Sequence, residues 1–115
     1  MGHATILYTD GRTEKIAAPD VLDGNQRNFT LALENIVRGH IEYVRVLYKG
    51  EERYLIVNDT GSIQRPRLSI NKAASLIYHA AWCKEHDMRP EDTFRLGLLQ
   101  PIHGIAVILH DVQVR

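Results

Sequence analysis

Hydrophobic residues recur along this chain in short runs whose spacing predicts two strand hairpins. Ala4 to Tyr8 and Thr13 to Ala17 favour strands, and the turn signal from Thr9 to Arg12, with Asp-Gly at its centre, joins them. Ile41 to Tyr48 and Arg53 to Val57 form the second pair, on either side of a polar loop. The first half of the chain is therefore expected to supply four strands.

Two strand segments stand out by their apolar content. Ile41 to Tyr48 has apolar residues on both of its faces, which indicates a central strand. Gly104 to Leu109 is strongly apolar and predicts a last, buried strand near the end of the sequence.

Two segments carry the pattern of helices. The first is predicted from about Leu31 to Arg38, with Thr30 as N-cap and Gly39 in the left-handed conformation that ends many helices. The second is predicted from about Lys72 to His86, after the N-cap Asn71. Its apolar residues recur at three- and four-residue spacing: Ala73, Leu76, Ile77, Ala80 and Cys83.

The resulting order, β-β-α-β-β-α-β, predicts an α+β fold. Two helices would pack on one face of a mostly antiparallel sheet of about five strands, giving a two-layer domain. The 115 residues fit a single domain, spanning 1–115, that is large enough to bury a core without metal or disulfide.

Charge and cysteine content narrow the function classes. Lys plus Arg and Asp plus Glu each number 14, so the formal net charge is zero, which argues against sequence-independent nucleic-acid binding. Cys83 is the single cysteine, which rules out a disulfide within the chain and favours a cytoplasmic setting. The sequence shows no signal-peptide pattern and no apolar window of ~18 residues, so we expect no membrane span.

Four segments carry motifs whose order is typical of one family. They are a helix end with glycine and strand, the end of a hairpin with its turn, a Leu-Ser-Ile-Asn helix start, and an apolar strand: Ile36–Glu42, Ile56–Gly61, Leu68–Ala74 and Gly104–Leu109. In this order they resemble the DUF3846 family of small phage- and plasmid-encoded bacterial proteins of unknown function. The chain departs from the family pattern at Arg38 and His40, where a second glycine and an aromatic residue are common.

The resemblance implies a compact α+β accessory protein of a mobile element that works in the bacterial cytoplasm. It also suggests a host protein, including a defence protein, as the target. It brings no established activity, and therefore no catalytic residue and no cofactor.

A basic cluster precedes the second helix and begins it. Arg65, Arg67 and Lys72, with the hydroxyl of Ser69, would meet the free N–H groups of a helix N-terminus, an arrangement that suits a phosphate or another anion. The alternative is a solvated basic loop without a ligand.

His79, Cys83 and His86 recur at positions i, i+4 and i+7 of the second helix, so they fall in one stripe. Imidazole and thiolate groups at this spacing could bind zinc or another soft divalent metal, given a fourth ligand from elsewhere. The alternative is a buried cysteine with a histidine at each boundary of the apolar face.

Tyr43, Tyr48 and Tyr54 cluster on the second hairpin. Exposed tyrosines on a sheet are good interface anchors, but they also form cross-strand packing pairs. An unpaired edge strand would in addition allow a homodimer by sheet extension.

The sequence contains no nucleophile elbow and no glycine-rich phosphate loop, so an enzyme is less favoured than a binding protein. The leading hypothesis is a binding or interaction protein with a protein target. The alternatives are a binder of a phosphorylated small ligand or nucleotide signal, and a metal-binding protein.

Overall fold

A computed structural model of the chain describes residues 2–61, 68–96 and 100–115, with the backbone alone described at 94–96. The strands in these ranges are β1 His3–Leu7, β2 Thr13–Ala17, β3 Val21–Leu22, β4 Ile41–Tyr48, β5 Glu51–Asn58, β6 Ala106–His110 and β7 Gln113–Val114. The helices are α1 Arg27–Val37, α2 Lys72–Glu85 and α3 Pro90–Leu96. Given their length and polarity, none of the helices in the described ranges could traverse a lipid bilayer.

Five of the strands form one sheet in the order β2-β1-β6-β5-β4. Each neighbouring pair in it is antiparallel. The predicted α+β class and the mostly antiparallel sheet of five strands are therefore confirmed. β6 is buried, as its apolar sequence predicts, and it lies in the middle of the sheet. β3 and β7 form a short parallel pair beside the sheet.

The centre of the sheet is buried on both faces, where β5 and β6 carry apolar side chains at successive positions. Alternate residues of a strand face opposite sides, so a continuous apolar run needs a cover on each side. The α1 cluster buries Ala4, Ile6, Leu22, Leu33, Val37, Ile56, Val107 and Leu109. The α2 cluster buries Leu7, Val46, Leu55, Val57, Ala74, Ala106 and Ile108.

The two clusters place α1 and α2 on opposite faces of the sheet. Ile56 faces α1, whereas its neighbours Leu55 and Val57 face α2. Both α1 and α2 pack on the sheet, as predicted. The prediction that they pack on the same face is corrected. A single face could not cover the consecutive apolar residues of the central strands.

β4 is an edge strand, so the prediction that it is central was wrong. It pairs with β5 along its whole length and ends the strand order of the sheet. Its apolar residues on both faces have another cause: Val46 packs into the α2 cluster and Ile41 packs against the α1 cluster. Burial on two faces therefore does not require a strand on each side.

The start and end of α1 differ from the prediction. The helix begins at Arg27, so Thr30 lies inside it, and Gln26 precedes it without a side-chain cap. The left-handed residue at its end is Arg38, with φ 64°, and not Gly39. Position 39 requires glycine because the side chain of Asn58 lies close to the backbone there. A Cβ at this position would lie 2.7 Å from the side-chain nitrogen of Asn58.

Asn58 fastens the end of α1 to the end of β5. Its Nδ2 donates to the carbonyl oxygens of Val37 and Arg38, at 3.0 Å each. Its Oδ1 accepts from the backbone N–H of Thr60 at 2.8 Å. The amide therefore satisfies two of the carbonyls that a helix C-terminus leaves free and holds the turn that follows β5.

Asn71 has the corresponding role on the other face, and the predicted N-cap is confirmed. Its Oδ1 accepts from the backbone N–H of Ala74 at 3.0 Å, in the first turn of α2. Its Nδ2 donates to the carbonyl oxygens of Leu7, at 2.8 Å, and Gly104, at 3.0 Å. One side chain thus joins the start of α2 to the end of β1 and to the segment before β6.

The face of α2 that packs against the protein coincides only in part with the face that its apolar spacing predicts. Leu76 is 63% exposed, and Ala73 and Ala80 are exposed as well. Polar contacts fix the rotation of the helix, because the Ser75 hydroxyl accepts from the N–H of Ile102 at 2.8 Å. Of the predicted face, Cys83 is buried and Ile77 packs against the α2 cluster. The other buried residues are Ala74, Ser75 and His79.

Replacing Asn71 by alanine is expected to lower the free energy of unfolding by about 3 kcal/mol or more, because it leaves buried carbonyls unsatisfied and removes a helix cap. Chemical denaturation measures the change. Asn25→Ala, in an exposed loop, is the matched control and should change the free energy of unfolding by less than ~0.5 kcal/mol. A loss for Asn71→Ala as small as the control's would contradict the structural role given to the Asn71 side chain.

Candidate functional site

β4 presents a free edge eight residues long. One side of the strand is bonded to β5, and no strand of the described ranges pairs with the other side. Such an edge offers alternating N–H and C=O groups to any extended chain that approaches it. β4 therefore has the backbone chemistry for adding a further strand.

A groove of about 630 Å³ runs beside this edge. Its floor is β4 from Glu42 to Arg45, and its far wall is α2. We call it the β4 groove and define it by six of its lining residues: Glu42, Tyr43, Asp59, Tyr78, Trp82 and Glu85. The exposed strand edge and the groove form one continuous surface.

Aromatic side chains stand on both sides of the edge. Tyr43 lies opposite Ile56 in the register of β4 and β5, and so on the α1 face. Tyr78 and Trp82 extend from α2 on the other face. A chain laid along β4 would therefore have aromatic surface next to its side chains on either face.

Tyr43 is held in place by its neighbour across the hairpin. Its ring meets the ring of Tyr54 edge-on, with the centroids 6.2 Å apart, and it stays 37% exposed. Burial of the remainder raises the pKa of the Tyr43 hydroxyl, so this group stays protonated as a donor at neutral pH. An ordered, half-exposed tyrosine is a suitable contact for a partner.

The charge of the groove is predominantly acidic. Glu42, Asp59 and Glu85 line it, together with Arg45 and His103. The guanidinium of Arg45 lies 3.2 Å from the carboxylate of Glu52, so part of its charge is already neutralised. A cationic side chain is consequently the complementary partner for this surface.

The three predicted interface tyrosines do not form one surface. Tyr43 and Tyr54 are a cross-strand pair on the α1 face, whereas Tyr48 packs against the α2 cluster. The ring of Tyr48 meets that of His110 at 5.9 Å, on the opposite side of the sheet from Tyr43. Of the three, Tyr43 is the one that lines the β4 groove.

The predicted anion site is described only in part. Arg65 and Arg67 lie outside the described residues. Ser69 and Lys72 are exposed, and the carbonyl of Ser69 accepts from the N–H of Gly104 at 2.7 Å. Binding of an anion by this cluster stays a prediction.

The structure does not bring the predicted metal stripe together. His79 is buried with its Nε2 3.3 Å from the carbonyl oxygen of Gln100, and the Cys83 sulfur lies 3.8 Å from the hydroxyl of Thr93. His86 is exposed and stacks on Trp82 at 4.0 Å. Among the residues that the structure describes, no group of three or more His, Cys, Asp or Glu side chains is placed to hold a metal ion.

Sequence reasoning missed most of the groove. Tyr78 and Trp82 are four residues apart on α2, which indicates a shared face, but nothing in the sequence indicates that this face meets β4. Glu42 and Glu85 are separated by more than a third of the chain and come together only through the packing of α2 on the sheet.

Comparisons with known proteins add no relative from which a role could be taken. No family model, no curated protein and no solved structure matches the chain. The resemblance to the DUF3846 family therefore stays a prediction, and the side chains themselves are the grounds for a functional assignment.

The separate environments of His79 and His86 predict separate effects on stability. His79→Ala should lower the free energy of unfolding by ~1–3 kcal/mol, because it removes a buried side chain with a polar partner. His86→Ala should cost less than ~1 kcal/mol, since the ring is exposed. Thermal denaturation with and without zinc is the measurement. A zinc-dependent rise in melting temperature that both substitutions abolish would contradict this account and favour a shared metal site.

Proposed function

We propose that this protein is a non-enzymatic binding protein that captures an extended, basic segment of a protein partner at the edge of β4. The single observation that carries the proposal is the free β4 edge beside an acidic groove with aromatic walls. Binding by strand addition draws affinity from main-chain hydrogen bonds and specificity from alternate side chains.

The two faces of the edge would select different side chains of the partner. Glu42 shares the α2 face with Val44 and Val46, and Glu85 lies across the groove from it. Alternate residues of an added strand would face these carboxylates, where Lys or Arg is favoured. The intervening residues would face Tyr43, where an apolar side chain is favoured.

The charge pattern also favours a different protein over a second copy of this chain. β4 carries one acidic and one basic residue, Glu42 and Arg45, so a second β4 offers no net positive charge to the groove. A second copy of this chain, bound through its own β4, is the less favoured alternative partner for the same edge.

The proposal also includes the source of the protein, the class of its partner and the compartment in which it acts. The resemblance to the DUF3846 family supports a phage or other mobile element as the source and a host protein, including a defence protein, as the partner. The single cysteine supports the bacterial cytoplasm as the compartment.

The alternative hypothesis, a binder of a phosphorylated ligand at Arg65, Arg67 and Lys72, requires the basic loop before α2 and leaves the β4 groove without a role. Metal binding requires His79, Cys83 and His86 to converge, and their separate surroundings give that alternative little support.

A synthetic peptide of alternating Lys and Val, about as long as β4, should bind at least ~10-fold more tightly than the corresponding Glu-Val peptide. The fluorescence of Trp82, the single tryptophan of the chain, reports occupancy of the groove. Methylation of the peptide's backbone nitrogens should abolish binding, because it removes the donors that strand addition needs.

Charge reversal tests the assigned surface. The double variant Glu42→Lys/Glu85→Lys should lose at least ~10-fold in affinity for the Lys-Val peptide. Glu14→Lys/Glu91→Lys is the matched control, since it makes the same change of net charge at two exposed positions that do not line the groove. Equal losses in the two double variants, or undiminished binding of the N-methylated peptide, would overturn the proposal. Self-association through β4 that excludes the peptide would identify the second copy as the occupant instead.

A further inference from the structure

A second concavity, of about 440 Å³, lies on the α2 face of the sheet, and the residues that line it come from strands and from the turn between β4 and β5. We call it the histidine surface and define it by His3, Thr5, Lys15, Tyr48, Arg53 and His110. None of these residues belongs to the β4 groove.

The register of the strands brings these side chains together. His3 lies opposite His110, and Thr5 lies opposite Lys15. Tyr54 lies opposite Leu109, so the next pair in the antiparallel register places Arg53 beside His110. Because alternate residues share a face, one row of the sheet carries two imidazoles and a guanidinium on neighbouring strands.

The two histidines form the centre of the surface. Their rings stack with centroids 4.4 Å apart and planes 8° from parallel. The Nε2 of His110 lies 3.1 Å from the hydroxyl of Thr5, and the ring of Tyr48 meets His110 edge-on. Partial burial, followed by the charges of His3 and Arg53, lowers the pKa of His110. The His110 ring is therefore neutral at neutral pH in the absence of a ligand.

Positive charge is concentrated here beyond what nearby carboxylates neutralise. Both acidic neighbours, Glu51 and Asp111, contact Arg53, the latter at 3.6 Å. In the described part of the chain, Lys15 and His3 form no ion pair with a carboxylate. Like charges on adjacent strands oppose folding. A bound anion would remove that cost.

We propose that the histidine surface binds a phosphate group, either as free phosphate or as the phosphate of a small metabolite or nucleotide. Lys15 and Arg53 supply charge, and the hydroxyls of Thr5 and Tyr48 supply neutral donors around the imidazoles. This ligand class is the one predicted for the basic loop before α2, but the residues are different.

Anion binding at this surface is linked to protonation of His110. The titratable and polar groups that share this concavity with His110 come from four strands and the turn between β4 and β5. They are His3 and Thr5 of β1, Thr13 and Lys15 of β2, Tyr48 of β4, Lys49 of the turn, and Glu51 and Arg53 of β5, with Asp111 adjacent to His110 in the chain. A bound anion offsets the repulsion between the protonated His110 ring and the nearby cations, so it favours the protonated form of the ring. Affinity should therefore rise as the pH falls.

Sulfate is the first probe, because its charge is constant while histidine titrates around pH ~6.5. Isothermal titration should give at least ~10-fold tighter sulfate binding at pH ~5.5 than at pH ~8, as expected for a histidine-linked site. The Hε1 resonance of His110 in NMR spectra should shift on titration, and its pKa should rise when sulfate is bound.

His110→Gln should remove the pH dependence, and Lys15→Gln should weaken binding at pH ~5.5 by ~10-fold. His86→Gln and Lys84→Gln, at exposed positions of α2 outside this concavity, are the matched controls and should bind as the unaltered protein does. Melting temperatures verify that each variant is folded.

Inorganic phosphate and a nucleoside monophosphate distinguish the two sources of the ligand. Tighter binding of the nucleotide supports a nucleotide or metabolite, and equal binding supports free phosphate. The proposal is overturned if sulfate fails to bind at pH ~5.5, or if the control variants lose affinity as much as His110→Gln and Lys15→Gln do.

Discussion

The buried amide of Asn71 is the interaction on which the rest of the fold depends most. A fully buried side-chain amide is costly unless its hydrogen bonds are made, and this one, at 0% exposure, bonds the start of α2, the end of β1 and the segment before β6. It therefore sets where α2 begins over the sheet. Asn58 makes the corresponding connection on the opposite face, between the end of α1 and the end of β5.

The β4 groove follows from that arrangement. Because α2 is capped by Asn71 and packs against β4, its residues Tyr78, Trp82 and Glu85 lie at the free edge of the sheet. The edge is left with a wall on the α2 side and with Tyr43 on the α1 side. The candidate surface is thus a product of the same hydrogen bonds that stabilise the core.

Local signals in the sequence predicted local structure well. The Asp10-Gly11 turn, the cap at Asn71 and the apolar run before Leu109 each act over a few residues, and each is found where it was expected. The predicted apolar face of α2 was correct for Ile77 and Cys83 but wrong for Ala73, Leu76 and Ala80. The helix is rotated because Ser75 and His79 bond the chain near residues 100–102, which no local pattern reveals. The edge position of β4 depends likewise on long-range strand pairing.

The candidate sites likewise combine residues that a local sequence pattern identifies with residues that only the tertiary fold brings together. Tyr43 was identified from its place on the hairpin, but its acidic neighbours and Trp82 come from distant parts of the sequence. His3 and His110 are near opposite ends of the chain and meet only because β1 pairs with β6. A sequence pattern can find residues that are close along the chain, whereas both concave surfaces depend on strand pairing and helix packing between distant segments.

The central claim, that β4 takes up an added strand, is tested most directly by backbone amide hydrogen exchange with and without the Lys-Val peptide. Strand addition predicts slower exchange at the β4 amides that point toward the free edge, with β1 and β2 unchanged. Exchange in β4 that stays the same while the peptide is bound would contradict the claim.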